Sequence, residues 1–322
     1  MTKNIKALSL KFSRYLLLTT VLLFSCDDDD DTISIGLLAE HRGIYINDFY
    51  TAGILGNSAL EDDLLAWVDV NDFTDIYLYN IGSALGDGLD NDLRTFVDKA
   101  HNQIPYLRVS FVSAGFGDSF TEIEGYHDGR KDNRPDGIVS EIEFWNGSMN
   151  FADNYAPWID KVNDLKFTPP PGETTPLNAG VTRQFYIGKI KDPGLPPSLA
   201  IAKELVMHHD EIFLTNYHND AWLLSSSTLE NSIVNKLNLL AQAGMELNKE
   251  VNIVILFNVF QSSPSPEIWD YFSTTGMDNE FEDAFVEWSN EYDTSADIIN
   301  KEFLNIKGFG IYRYSDALNA RP

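Results

Sequence analysis

The feature that most constrains the fold is the alternation of strand-like and helix-like segments along the chain of 322 residues. Between the strand-like segments, apolar residues recur at helical spacing, as do Leu93, Phe96, Val97 and Ala100. Alternating β and α units predict parallel strands joined by right-handed crossovers. The strand-like segments are rich in β-branched and aromatic residues, and eight of them lie near residues 43, 75, 105, 138, 184, 211, 251 and 308. Eight such units predict an α/β fold, a single closed (β/α)8 barrel of the TIM type, over residues 40–322.

An open, doubly wound sheet is the main alternative to the barrel. Such a sheet would place a Gly-rich phosphate-binding turn after the first strand, Arg42–Asp48, and the sequence has none there. Two helix starts are marked, one by Ser198 after a pair of prolines and one by the capping box of Ser227 and Glu230. The stretch from Phe116 to Lys131 carries Gly, Asp and His without a helical stripe, so a long polar loop is predicted there.

The N-terminus has the pattern of an export signal, which we predict to span residues 1–25. Its apolar run, Tyr15–Phe24, is too short to cross a bilayer and follows four basic residues, Lys3, Lys6, Lys11 and Arg14. The run ends in Leu23-Phe24-Ser25-Cys26, which resembles the lipobox of bacterial lipoproteins. That resemblance implies that Cys26 becomes the lipidated first residue of the mature protein and anchors it to a membrane. The alternative is an ordinary cleaved signal that happens to carry a thiol.

Residues 26–39 are predicted to form an acidic tether between the anchor and the barrel. The run Asp27–Asp31 repels itself and stays solvated. Acidic residues directly after a lipidated cysteine also resemble the surface-export signals of Bacteroidetes lipoproteins, which implies the outer membrane and the cell surface as the location. The formal net charge of −26 argues against nucleic acid as a partner, because like charges repel.

The clearest sign of chemistry is a pair of acids in the segment that follows Arg134-Pro135-Asp136-Gly137. If residues 138–145 form a strand, Val139, Glu141 and Glu143 share one face of it. Two residues of rise place the two carboxylates about 7 Å apart along the strand. Burying such a pair is costly, which suggests that the acids have a function. The simpler interpretation is a strand end whose acids face solvent.

The segment Asp136-Gly137-Ile138-Val139-Ser140-Glu141-Ile142-Glu143 resembles the Asp-Gly-x-Asp-x-Asp-x-Glu signature of glycoside hydrolase family 18, which includes chitinases and endo-β-N-acetylglucosaminidases. Ser113-Ala114-Gly115 is similar to that family's Ser-x-Gly-Gly, and Tyr217 matches its substrate-contacting tyrosine. The resemblance implies a (β/α)8 barrel with the acidic motif on the fourth strand. It spans residues 40–318, but only the acidic motif is specific.

The resemblance implies cleavage of β-linked, N-acetylglucosamine-containing glycans by a substrate-assisted retaining mechanism, without metal or organic cofactor. Glu143 would then be the general acid, Glu141 its neighbour, and Tyr217 a donor to the substrate acetamide. The chain departs from the family's pattern, since Val139 and Glu141 stand where two Asp residues are expected. The late tryptophan of the last strand is replaced by Tyr312-Arg313-Tyr314.

Two other interpretations remain open on the sequence. The first is a catalytically impaired, glycan-binding surface lipoprotein on the same barrel. The second is a calcium loop, because Asp132 to Glu143 also fits an EF-hand loop apart from Arg134. No predicted helix precedes that loop and no second loop pairs with it, which argues against calcium.

Aromatic residues at predicted strand ends are candidates for stacking on sugar rings, with core packing as the alternative; they are Tyr79, Trp145, Trp222 and Tyr312. Asn258 could bond a sugar hydroxyl or a loop backbone group. His208, His209 and His218 have no third partner at ligand spacing, so we predict structural roles for them and no metal site.

Overall fold

Eight parallel strands close into one barrel, in which each strand pairs with its neighbours in sequence and the last pairs with the first. The computed structural model describes residues 39–113, 118–128, 133–147, 150–167, 181–217, 232–260 and 281–320. The predicted signal, Cys26, the tether to residue 38 and the Pro-rich stretch 169–172 lie outside these residues. The predicted fold, a single (β/α)8 barrel, is confirmed.

All eight predicted strands are present. They are β1 His41–Ile46, β2 Asp75–Leu78, β3 Arg108–Ser113, β4 Gly137–Ser140, β5 Thr182–Ile187, β6 Glu211–Thr215, β7 Val251–Asn258 and β8 Leu304–Tyr312. One boundary bears on function: β4 ends at Ser140, so the prediction of a strand from Ile138 to Trp145 is wrong beyond its third residue. The predicted alternation of faces therefore does not hold at Glu143.

Helices lie between the strands and cover the outside of the barrel. The described ones are α1 Ser58–Val70, α2 Ile81–Gly86, α3 Asp90–Gln103, α4 Asp118–Asp128, α5 Phe151–Asn154, α6 Ala156–Phe167, α7 Leu199–His208, α8 Ile233–Leu247, α9 Phe281–Thr294 and α10 Tyr314–Ala320. None of the described helices is both long and apolar enough to span a membrane.

Two helix starts follow from capping chemistry. The Ser198 side chain accepts a hydrogen bond from the Ile201 backbone N–H, as predicted for the start of α7. Ser232 caps α8 in the same way, by accepting from the Asn235 N–H. The predicted capping box at Ser227 lies outside the described residues.

Helix α4 corrects the prediction of a polar loop between β3 and β4. Phe120, Ile123 and Tyr126 are all buried, and their spacing of three residues places them on one side of the helix. This stripe is short and contains Gly125, so the sequence pattern indicates a helix only weakly. The helix packs against α2 and β3, so it completes the cover of the barrel on that side.

The pairing of β1 with β8 closes the barrel and depends on one glycine. Gly308 lies beside a register shift between β7 and β8 and has a φ of +145°, a value that L-residues rarely adopt. A Cβ atom there would also lie 2.0 Å from the His41 carbonyl oxygen. Glycine therefore allows β8 to bend and pair with β1.

The barrel interior is apolar in its upper part, toward the C-terminal ends of the strands, and charged in its lower part, at their N-terminal ends. The upper part is a cluster of inward-facing residues, Tyr45, Tyr77, Val112, Val139, Phe213, Val254 and Leu256. At the N-terminal ends of the strands, Arg108 donates to Asp75 at 2.5 Å and to Glu211 at 3.1 Å. His41 lies 3.4 Å from Asp75 and 3.5 Å from Glu211.

The charges of this lower layer compensate one another. Burial raises the pKa of Asp75, but the His41 hydrogen bond and the Arg108 charge outweigh it, so the net pKa lies below its ordinary value. Gln184 donates to the second oxygen of Glu211 at 2.7 Å. The layer thus stabilises the N-terminal end of the barrel, which is not the end that carries active sites in this fold.

We predict that Arg108→Met lowers the free energy of unfolding by about 3–5 kcal/mol, because it leaves two buried carboxylates without their shared cation. Urea denaturation at pH 7 measures the change. The control is Arg94→Met on the exposed side of α3, which should change stability by less than about 0.5 kcal/mol. A loss of less than about 1 kcal/mol for Arg108→Met would contradict this account of the lower layer.

Candidate functional site

The candidate site is the mouth of the barrel at the C-terminal ends of the strands, where parallel closure brings eight strand ends together. Four partly buried tyrosines pack on the inner apolar cluster at this end, namely Tyr79, Tyr186, Tyr217 and Tyr312. Tyr79 and Tyr217 follow the ends of β2 and β6, and Tyr312 is the last residue of β8. Buried Tyr45, from β1, lies beneath them.

These five tyrosines form a continuous series of ring contacts, which we call the tyrosine arc. From Tyr79 the ring centroids are 5.9 Å to Tyr45 and then 5.7 Å to Tyr312. The series continues 6.1 Å to Tyr217 and 6.5 Å to Tyr186. Rings with apolar faces and hydroxyl edges suit a ligand that has both apolar C–H faces and polar groups, as sugars do.

Glu141 lies within the tyrosine arc. It is the first residue after β4, and its carboxyl oxygen Oε2 accepts a hydrogen bond from the Tyr79 hydroxyl. Burial raises the pKa of Tyr45, Tyr217 and Tyr312, and a negative charge on nearby Glu141 adds to the rise in each. The arc therefore surrounds one acid.

The pKa of Glu141 is raised to about 8, first by burial and then by the charge of Glu143. Removal from water disfavours the carboxylate, and a second carboxylate nearby disfavours it further. Glu141 therefore carries a proton at neutral pH. A carboxyl that is protonated at pH 7 can donate a hydrogen bond or a proton, which an ordinary surface glutamate cannot do.

Glu143 lies beyond the strand and is exposed. Its carboxylate accepts a hydrogen bond from the Asn146 side chain, three residues on. The expectation that Glu143 shares an inward strand face with Glu141 is thus wrong in its geometry, because the strand has ended at Ser140. The two acids remain electrostatic neighbours at the mouth.

Tyr217 lies where the sequence places it, at the mouth after β6. Burial, followed by the neighbouring Tyr186, raises its pKa well above its ordinary value, so its hydroxyl remains a hydrogen-bond donor. A hydrogen bond links the side chains of Tyr186 and Tyr217. Glu141 and Tyr217 therefore lie close together among aromatic rings at the C-terminal end of the barrel.

Two other predicted sugar contacts have partners within the protein. Trp145 is 7% exposed and packs on Tyr186, with ring centroids 6.0 Å apart. The Asn258 side chain accepts a hydrogen bond from the Phe260 N–H at 2.9 Å, which is the backbone role expected as its alternative. Tyr79 and Tyr312, the other two predicted sugar contacts, lie at the mouth of the barrel and are partly exposed.

Several sequence candidates are structural or lie outside the described residues. His209 is buried, and its ring nitrogen contacts Tyr155 at 3.2 Å, in agreement with its predicted structural role. Asp136 accepts from the Val109 N–H at the lower end of β4. The strand geometry of residues 137–140 does not fit a calcium loop. Outside the described residues lie Ala114, Gly115, Asp132, His218 and Trp222.

Sequence reasoning missed two tyrosines of the arc. Tyr45 is wholly buried on β1, and its hydroxyl has no hydrogen-bond partner among the described residues. Tyr186 is the penultimate residue of β5. The sequence contains a signal for both, because each tyrosine lies one residue before the end of its strand, at the level of the mouth.

The described residues contain no group of three His, Cys, Asp or Glu side chains that could hold a metal ion. The groups that they bring together at the mouth are one protonated acid, one exposed acid and several phenol donors. Such a set can bind a polyol and transfer a proton to a leaving oxygen.

No protein-family model matches the sequence, and no curated protein sequence matches it. Among solved structures, a class V chitinase from Nicotiana tobaccum is similar at 13% identity and a TM-score of 0.40, over 67% of this chain and 66% of that chain. A β-glucuronidase from Faecalibacterium prausnitzii is similar at 13% identity and a TM-score of 0.44, over 86% of this chain and 42% of that chain. The chain thus spans less than two thirds of either protein.

The catalytic domain of a β-amylase from Paenibacillus polymyxa is similar at 8% identity and a TM-score of 0.43, over 88% of this chain and 95% of that chain. A D-psicose 3-epimerase is also similar, at 10% identity and a TM-score of 0.36, over 81% of this chain and 99% of that chain. Likenesses at this level do not identify an activity.

We predict that Glu141 titrates near pH 8 and that Glu143→Gln lowers its pKa, because the substitution removes the like charge that raises it. Carbon-13 NMR of the glutamate carboxyls, assigned with Glu141→Gln, measures both values. Glu122→Gln, on the exposed side of α4, is the control and should leave the titration unchanged. A Glu141 midpoint near that of an exposed glutamate would show that the carboxyl is not buried among the tyrosines.

Proposed function

We propose that the protein is a glycoside hydrolase that acts at the barrel mouth on β-linked, N-acetylglucosamine-containing glycans. The observation that carries the proposal is the protonated Glu141 within the tyrosine arc, beside a second acid. The site supplies the three requirements of the reaction, namely a surface for the sugar, hydrogen-bond donors and an acid pair. The acidic motif that resembles family 18 begins on β4 and continues past its C-terminal end, and this position agrees with the proposal.

In this mechanism the proton that Glu141 holds at neutral pH passes to Glu143, whose exposed carboxyl can reach a bound substrate and protonates the leaving glycosidic oxygen. Glu141, left as a carboxylate between Glu143 and the tyrosines, accepts a hydrogen bond from the acetamide N–H and so orients the acetamide, whose oxygen is the nucleophile. Tyr217 donates to the acetamide oxygen. The first inner acid of the family pattern is absent, since Val139 occupies its position and is wholly buried in the apolar interior of the barrel.

A second function is favoured by a specific observation. Glu143 is exposed and bonded to Asn146, a poorer environment for a general acid than that of Glu141. On this alternative the tyrosine arc binds a glycan without cleaving it, and the protein is a glycan-binding surface lipoprotein. The two functions share the binding site and differ only in turnover.

We predict that the purified protein releases fluorophore from 4-methylumbelliferyl N,N′-diacetylchitobioside. Glu143→Gln should lower kcat about 10²–10⁴-fold, the usual contribution of a general acid. Its affinity for N,N′-diacetylchitobiose, measured by calorimetry, should change little. Glu141→Gln should also lower kcat, and the exposed control Glu122→Gln should behave as wild type.

The outcomes separate the two functions. Binding without turnover in the wild type would exclude the hydrolase and support the glycan-binding lipoprotein. Turnover that survives Glu143→Gln but is lost in Glu141→Gln would transfer the role of general acid to Glu141. Absence of both binding and turnover would contradict both functions.

We also propose that the chain is anchored in the outer membrane by a lipid on Cys26 and faces the cell exterior. The basis is the lipobox-like Leu23-Phe24-Ser25-Cys26 and the acids that follow it. Metabolic labelling with a palmitate analogue in a Gram-negative host should mark the wild type and not Cys26→Ser. Equal labelling of the two, or labelling of neither, would contradict the anchor.

A further inference from the structure

Lys236 is a buried lysine whose ammonium bridges two strand ends. It lies in the first turn of α8 and is 2% exposed. Its Nζ donates to the Thr215 carbonyl oxygen at 2.7 Å and to the Gly188 carbonyl oxygen at 3.2 Å. A third contact, to the Thr215 hydroxyl, measures 3.4 Å.

These partners are unusual for a buried lysine because all three are neutral oxygens. A buried ammonium is costly unless it is fully hydrogen-bonded, and most are paired with a carboxylate. Burial, followed by the nearby Lys189, lowers the pKa of Lys236 to about 7. An apolar residue would fill this position at a lower free-energy cost. Packing alone therefore does not explain why a lysine is buried here.

The two bridged carbonyls belong to the strand ends that carry the arc. Thr215 ends β6 and lies two residues before Tyr217. Gly188 follows the end of β5 and lies two residues after Tyr186. The described pairing of β5 with β6 ends at Ile187 and Leu214. Beyond this pair, Lys236 links the C-terminal ends of β5 and β6.

Gly188 is constrained from the other side as well. A side chain at this position would meet the Trp145 ring at 3.0 Å, and Trp145 packs on Tyr186. The backbone at Gly188 is therefore held between Trp145 and Lys236. A shift of this backbone would move the Tyr186 ring relative to that of Tyr217.

We infer that Lys236 is a positioning residue of the glycan site, which sets the spacing of the Tyr186 and Tyr217 rings by tying the ends of β5 and β6 together. Its effect on a ligand rests on the proposed function. Its effect on the two tyrosines is a property of the free protein and is measured without ligand.

The test uses the full mature chain labelled with 3-fluorotyrosine and observed by fluorine-19 NMR. Tyr186→Phe, Tyr217→Phe and Tyr106→Phe assign the three resonances that are compared. The mature chain has 13 of the 14 tyrosines, because Tyr15 lies in the predicted signal. Lys236→Met should shift the Tyr186 and Tyr217 resonances and leave that of Tyr106, at the opposite end of the barrel, in place. Affinity for chitotriose, measured by calorimetry, should fall about 10-fold, since small displacements of binding groups are costly.

Leu240→Ala is the matched control. Leu240 is wholly buried one turn further along α8, so its truncation destabilises the same helix through a cavity without removing the bridge. It should leave the Tyr186 and Tyr217 resonances and the chitotriose affinity unchanged. If Lys236→Met does not fold, Lys236→Gln, which keeps an amide donor, should give smaller shifts of the same two resonances.

Unshifted Tyr186 and Tyr217 resonances in the Lys236 variant would overturn the inference. Equal shifts in Leu240→Ala would overturn it as well, because they would show a general response to destabilisation. If the wild type does not bind chitotriose, the proposed ligand is wrong, and the fluorine spectra still decide whether Lys236 positions the two rings.

Discussion

The mouth of this protein depends on the closure of the barrel by β1 and β8. Tyr45 comes from β1 and Tyr312 from β8, so their rings meet at 5.7 Å only because the first and last strands pair. That pairing depends in turn on Gly308, where any side chain would collide with β1. Without closure, the arc would be divided between two distant edges of an open sheet.

The second constraint is the free-energy cost of burying the Glu141 carboxyl. Because the pKa of Glu141 is raised from 4.5 to about 8, folding becomes progressively less favourable as the pH rises between these two values, since the unfolded chain holds the charge at lower cost. The charged layer at the other end of the barrel, centred on Arg108, is arranged for stability. The protein thus places compensated charges at the bottom and an uncompensated acid at the mouth, as functional sites commonly do.

The sequence predicts the barrel because buried parallel strands are apolar runs separated by amphipathic helices, a pattern that local residues determine. The end of β4 could not be predicted in this way. Ile142, Phe144 and Trp145 are as apolar as strand residues, yet they stay buried by packing after the strand has ended. The position of Glu141 beside the end of β4 could be predicted from the acid motif, whereas the orientation of Glu143 depends on tertiary packing. The tyrosine arc combines five strand ends distant in sequence, so it follows only from the closed register.

The central claim is that the tyrosine arc and Glu141 form a sugar site, and a crystal structure of Glu143→Gln soaked with chitotriose tests it most directly. The account predicts a sugar ring in the barrel mouth against Tyr217 and Tyr312, with its acetamide within hydrogen-bond distance of Glu141. Sugar bound elsewhere on the protein, with the mouth closed over by packed tyrosines, would contradict it.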